Sequence, residues 1–255
     1  MTRGRRTTRV LLAIPLIGAL GAGLTRCGGG DGELVVSAAA SLSEAFPAYA
    51  DDAGFEGARF SFAGSDELAA QIRQGAVPDV YAAANTTVPR ALHAEELLDR
   101  PVTFAANRLV LAVPAGSTAV RSLDDLTEPG IRIAIGDEDV PIGIYTRDVL
   151  ARLPAGQSEA ILANVRSSEP DVLGVVAKLT QGAVDAGFVY RSDVRASGAR
   201  LKPIELPARL RPDVAYAAGV VTGSTRRDEA SRFVDGLLSA QGRAALLKAG
   251  FLPPP

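Results

Sequence analysis

The chain has 255 residues, 47% of them apolar and 22% charged, with a formal charge of −2 at pH 7. That length and composition suit one or two packed cores, and Lys and Arg scattered with a near-zero sum argue against a nucleic-acid footprint or a basic membrane-binding patch. Trp is absent and aromatics make up 5%, which argues against a sugar- or base-stacking platform and for a compact, polar ligand.

In chain order, the first segment stands apart. Arg3, Arg5, Arg6 and Arg9 precede an apolar run over residues 10–24, too short for a comfortable membrane span and suited to the core of an export signal. Arg5-Arg6 reads as part of an ordinary basic leader rather than a twin-arginine signal. Cys27, the only cysteine, precedes Gly28-Gly29-Gly30, an arrangement that suits a lipoprotein acylated at that cysteine, although Arg26 stands where a small residue normally does. Residues 1–27 are read as a signal peptide, 28–32 as a linker and Cys27 as a lipidation site. The chain is therefore expected outside the cytoplasm, in the periplasm or on the outer face of the cell membrane.

From Glu33 onward, β-rich runs at residues 34–36, 59–62, 80–83, 109–113, 131–135, 187–190 and 214–221 alternate with helical patterns. Leu68 with Ile72, Val172 with Val176 and Leu179, and Phe233 with Leu237 carry the helical spacing. The alternation reads as α/β with largely parallel sheets. Gly75 and Gly182 fall where the helices after Ser65 and Asp171 should end on a left-handed residue. Pro47 lies inside the first helical pattern, so that helix should be kinked or start late. Extended apolar stretches at 107–114 and 212–221 read as two crossings between lobes, a hinge that permits closure on a ligand.

One pattern recurs four times: a strand ends, a small or hydroxyl residue follows, and a helix begins. Ser41 and Glu44 have capping-box spacing after the first strand. Gly64 allows close backbone approach before Ser65 starts a helix. Pro141 suits the first turn of a helix beginning near Ile142. The stretch Ser167-Ser168-Glu169-Pro170-Asp171 leads into the helix at Val172. Each helix start leaves main-chain N–H groups unpaired and carries a partial positive charge, which makes it an anion site without Lys or Arg. Any one of the four is more often an ordinary cap than a ligand, and their position at strand ends, where α/β sites lie, is what raises the anion reading.

The stretches Ala38-Ala39-Ala40-Ser41-Leu42, Phe62-Ala63-Gly64-Ser65, Leu68-Ala69-Ala70-Gln71-Ile72, Gly75-Ala76-Val77-Pro78-Asp79-Val80, Gly136-Asp137, Val140-Pro141-Ile142-Gly143-Ile144-Tyr145 and Ala186-Gly187-Phe188-Val189-Tyr190-Arg191-Ser192-Asp193 stand in the order and spacing of the molybdate-binding periplasmic proteins. The chain after Glu33 resembles that family throughout. The resemblance implies a two-lobed type II binding fold, each lobe a mostly parallel sheet flanked by helices, with the ligand cleft between them. It places lobe 1 at 33–106 plus 217–255 and lobe 2 at 107–216. It implies a tetrahedral oxyanion, molybdate or tungstate, held by the hydroxyls of Ser41 and Ser65, the main-chain N–H groups of Ile142 and Val172, and the phenol of Tyr190. A monomeric capture protein that delivers to an ABC permease and its ATPase follows, with no cofactor and no catalysis. Ile142 departs from the small residue common at its position, and Asp66 from a small polar one. Asp66 is expected to point outward along its helix, where the dipole favours a carboxylate, and Asp171 to be a structural helix-start charge.

Rival readings are a sister protein for sulfate, phosphate or another oxyanion, and an exported sensor of the same fold. An enzyme is disfavoured: His93, the only histidine, lies in a polar helical pattern, and one Cys with one His offers no zinc site. Asp137-Glu138-Asp139 lacks the spacing of a calcium loop and reads as a solvated acidic loop.

Overall fold

The computed structural model describes Met1 and residues 33–255; the expected signal peptide, linker and Cys27 acylation site lie outside the described residues. Residues 33–255 form one compact unit. Its elements, in order, are β1 (Val35–Ala39), α1 (Ala45–Ala53), β2 (Arg59–Ala63), α2 (Ser65–Arg73), β3 (Val80–Ala83), α3 (Thr87–Ala94), β4 (Val102–Asn107), β5 (Leu109–Pro114), β6 (Ile133–Gly136), α4 (Pro141–Ala151), α5 (Ala155–Ala163), β7 (Val165–Glu169), α6 (Val172–Thr180), β8 (Ala186–Tyr190), α7 (Arg191–Ala196), β9 (Leu201–Glu205), β10 (Val214–Val220), α8 (Arg227–Gly236) and α9 (Ala240–Lys248). Among the described residues no helix is long and apolar enough to cross a membrane.

The strands form two sheets of the same plan, β2-β1-β3-β10-β4 and β7-β6-β8-β5-β9. In each, the first three strands run parallel and the last two pairings are antiparallel. The sheets are thus mixed, for a reason the connectivity supplies. The chain leaves the first sheet at Arg108, between β4 and β5, and returns between β9 and β10, and the strand that enters each sheet from the other runs against its parallel part. Both entering strands are deeply buried, with Val110, Leu111, Ala112 and Val113 of β5 and Tyr216, Ala218 and Val220 of β10 all in the core.

Local chemistry explains where the helices stop and start. Gly75 and Gly182 take φ of 100° and 70°, and the next residues close back on their helices through Ala76 N–H to Gln71 O (2.9 Å) and Ala183 N–H to Lys178 O (3.0 Å). These are the paired closing bonds a left-handed residue makes available. The first helix starts late. Residues Ala40–Leu42 form a separate 3-10 turn and α1 begins only at Ala45, which puts Pro47 in the first turn, where its missing N–H costs no helix bond. The capping box expected of Ser41 and Glu44 is therefore absent: α1 has no side-chain cap, because its start lies downstream of Ser41. The stretch 167–169, read from the sequence as leading into the helix at Val172, belongs to β7. Asp79 fastens the rim of the first sheet, its carboxylate accepting from Val35 N–H (2.8 Å) and from Ser224 Oγ (2.6 Å).

Candidate oxyanion-binding site

The C-terminal ends of the parallel strands in the two sheets face a single small cavity of about 20 Å3, far below the several hundred Å3 that hold an organic ligand. Ser41, Ser65, Ile142, Val172 and Tyr190 all line it, so the five positions named from the sequence are brought together. Its remaining lining is Ala39, Ala40, Ala63, Gly64, Ala84, Val140, Pro141 and Asp171. No Lys or Arg is among these described residues. Small side chains let main chain approach the cavity from several directions, and the polarity comes from hydroxyls and amides.

Each donor has its own support. Gly64 is the N-cap of α2 and Ser65 its first residue; no side-chain cap bond is made. Ser65 Oγ instead accepts from Ala84 N–H (3.1 Å) at the end of β3, and Ser65 O accepts from Tyr81 Oη (2.6 Å). Val140 is the N-cap of α4 with Pro141 in the first turn, leaving Ile142 N–H among the amides that a helix cannot pair internally. Its bulky side chain is buried, 2% exposed, and lies against Gly136. Asp171 caps α6 by accepting from Gly174 N–H (3.0 Å), a structural role, which leaves Val172 N–H at the head of that helix. Ser41 Oγ lies 2.9 Å from Tyr216 Oη. Tyr190 is 1% exposed, and its Oη has no hydrogen-bond partner among the described residues. Burial, with lesser contributions from Tyr216, Tyr145 and Asp193, holds its phenol well above the usual range. It therefore stays a donor, and a buried donor calls for an acceptor.

The sequence reading missed the layer behind these donors. Tyr145, Tyr190 and Tyr216 pack edge to face, with ring centroids 6.4 and 6.0 Å apart. Tyr145 Oη donates to Ala84 O (3.3 Å), and Asn107 Nδ2 reaches Ser192 Oγ (2.9 Å) and Tyr216 Oη (3.4 Å). Asn107 and Tyr216 sit on β4 and β10, and no spacing in the sequence announces that they meet.

Asp66 does not line the cavity, but neither does it point outward as the solvated helix-start charge expected of its position. Its Oδ1 is buried and without a partner among the described residues. Desolvation raises its pKa, partly offset by the amides of Asp66 and Glu67, with Glu67 and Asp139 raising it further. The reason is closure: a Cβ on Gly64 would come within 2.8 Å of Pro170 O and 3.0 Å of Asp66 Oδ1, so the start of α2 is pressed against the turn between β7 and α6. His93 is exposed on α3, its Nδ1 2.8 Å from Leu98 O. Asp137, Glu138 and Asp139 form an exposed loop, and no group of three or more metal-ligating side chains occurs among the described residues.

Gly143 shows how tightly the α4 start is held. A Cβ there would lie 1.7 Å from Asp137 O, so the loop from Gly136 folds directly over the first turn. Gly143→Ala should displace that loop and cost about 1–3 kcal/mol of stability, which urea unfolding of the two proteins compares. Equal midpoints would show that the loop moves aside freely.

The chain matches known proteins along most of its length. The family described as bacterial extracellular solute-binding protein matches residues 34–252. The chain is 34% identical to the molybdate-binding protein of Mycobacterium tuberculosis, over 91% of this chain and 94% of that one. Among solved structures, it resembles the substrate-binding domain of a putative molybdenum ABC transporter from Clostridium difficile, with TM-score 0.66, 29% identity, and 87% and 99% of the two chains covered. The periplasmic molybdate-binding protein of Azotobacter vinelandii shares the fold, with TM-score 0.77, 22% identity, and 88% and 100% coverage.

Proposed function

The chain belongs to the bacterial extracellular solute-binding protein family, and we propose that it is the molybdate-capturing component of an ABC importer, with tungstate as an alternative ligand. The observation that carries the reading is the cavity itself: about 20 Å3, lined by two serine hydroxyls, a buried unpaired phenol and two helix-start amides, with no cationic side chain. A tetrahedral dianion is costly to dehydrate, and a dense set of fixed donors offsets that cost. Neutral donors and partial helix charges supply it without a permanent ion pair that would resist release. The relatives named above bind molybdate or serve a molybdenum transporter by their names, and the small cavity is in keeping with a compact ion.

In this reading, the sheet of β1–β4 and β10 with its helices is lobe 1 and the sheet of β5–β9 with its helices is lobe 2, hinged where the chain crosses between the sheets, at Arg108 and between β9 and β10. Opening parts Ser41 and Ser65 from Ile142, Val172 and Tyr190, dividing the donor set and releasing the ion to a membrane permease driven by its ATPase. The protein works as a monomer without a cofactor and catalyses no reaction. Export by the N-terminal signal and acylation of Cys27 would hold it at the outer face of the membrane.

The test is the thermal unfolding midpoint of the mature chain, freed of bound ligand, with molybdate, tungstate, sulfate and phosphate. Molybdate at about a thousand times its dissociation constant should stabilise the fold by roughly 4 kcal/mol, and tungstate similarly. A rise with sulfate alone would reassign the ligand; no rise with any of the four would overturn the oxyanion reading.

A further inference from the structure

A hydroxyl can donate or accept, so the chemistry of a serine-lined site depends on what lies behind each serine. We infer that Tyr216 and Asn107 are positioning residues that hold the Ser41 hydroxyl as a donor toward the cavity, making the site reject tetrahedral anions that carry a proton. The inference rests on the reading of the cavity as an oxyanion site.

The direction of the chain of hydrogen bonds follows from its far end. Asn107 Oδ1 accepts from Arg108 N–H (2.8 Å), which fixes the amide and turns Nδ2 toward Ser192 Oγ at 2.9 Å and Tyr216 Oη at 3.4 Å. An amide NH2 only donates. Tyr216 is fully buried, and its phenol proton must find an acceptor or remain unpaired at a cost. Ser41 Oγ, at 2.9 Å, is the acceptor in reach among the described residues. Tyr216 therefore donates, Ser41 accepts, and the proton of Ser41 is the group left for the cavity.

Ser65 is held the same way by a simpler device, since Ala84 N–H donates to its Oγ and an amide cannot do otherwise. Tyr190 Oη has no partner among the described residues, and the amides of Ile142 and Val172 are donors by nature. The one carboxylate at the cavity, Asp171, has its Oδ1 engaged by Gly174 N–H as a helix cap. The hydroxyl, phenol and amide groups offered to the ion are thus all donors. A fully deprotonated ion such as molybdate or sulfate meets this set; monohydrogen phosphate or arsenate brings a proton with no acceptor to receive it.

The experiment measures calorimetric Kd values for molybdate and for arsenate, at a pH where arsenate is the monohydrogen dianion, in wild type, Tyr216→Phe and Asn107→Leu. Tyr216→Phe removes a single oxygen and Asn107→Leu keeps the branched side-chain shape, and either one that folds decides the matter. Tyr216→Phe frees a lone pair on Ser41. Asn107→Leu vacates the lone pair of Tyr216 that Nδ2 fills, so that Ser41 can donate to Tyr216 and accept the proton of the ion. In each, the ratio of arsenate Kd to molybdate Kd should fall about tenfold or more. A purely structural role for these residues would weaken both ions alike and leave the ratio unchanged, and that result, in a wild type that binds molybdate, would overturn the inference. A wild type that binds no oxyanion would overturn the reading of the cavity and this inference with it.

Discussion

Ser65→Ala is expected to weaken molybdate binding by roughly 30- to 1000-fold, a loss of about 2–4 kcal/mol. The ion forfeits a donor, and hydrogen bonds to charged groups are the strong ones. Ala84 N–H, which donates to Ser65 Oγ at 3.1 Å, loses its acceptor in the free and bound protein alike, so that loss is read in stability and not in affinity. The helix itself loses little, because α2 makes no side-chain cap bond and the Tyr81 contact is to the main-chain oxygen of residue 65. This separates the binding role from the ordinary one. A serine that merely caps a helix would, on removal, lower the unfolding free energy by about 1 kcal/mol and leave affinity untouched. Calorimetric titration of both proteins with molybdate, alongside urea unfolding, distinguishes the two; an affinity within threefold of wild type would remove Ser65 from the site.

How much of this was legible in the sequence depended on burial. The strands read from the sequence, β1, β2, β3, β5, β6, β8 and β10, include every inner strand of both sheets. Those the pattern does not announce, β4, β7 and β9, are all edge strands. β7 is polar and half-exposed, and β9 carries Pro203, which is how an edge is kept from pairing further and also what hides it from a hydrophobicity pattern. In the site, residues next to a strand end were legible because a fixed local geometry, strand then helix start, recurs there. Ser41 illustrates the limit: its place was readable, but its partner was not. The capping box required Glu44 three residues on, whereas the actual partner is Tyr216, 175 residues away. Contacts set by the meeting of β1, β4 and β10 have no signature in spacing. Asp66 fails for a related reason, since helix-dipole reasoning treats the helix alone and Asp66 Oδ1 is covered where α2 meets the turn at Pro170.

Asp193 is the group through which pH should act most strongly on this fold. It is 4% exposed at the start of α7, directly behind the tyrosine of the site, and its Oδ2 accepts from Tyr190 N–H (2.8 Å). Desolvation pushes its pKa up from 3.8 to about 8; the Tyr190 amide opposes the shift and the charge of Asp171 adds to it. With the folded value raised, the folded chain holds one more proton than the unfolded chain between pH 3.8 and about 8. Unfolding then releases a proton, so this residue's contribution to stability is fully present below that window and is lost as pH rises through it, at about 1.4 kcal/mol per pH unit. Asp193→Asn keeps an acceptor for Tyr190 N–H and removes the titration. The variant should therefore gain on wild type steadily from pH 5 to pH 8, by several kcal/mol in all. Urea unfolding of both proteins across that range reads the difference directly, and a difference that stays constant with pH would show that Asp193 is ionised in the folded chain throughout, its charge met by more than the single amide of Tyr190.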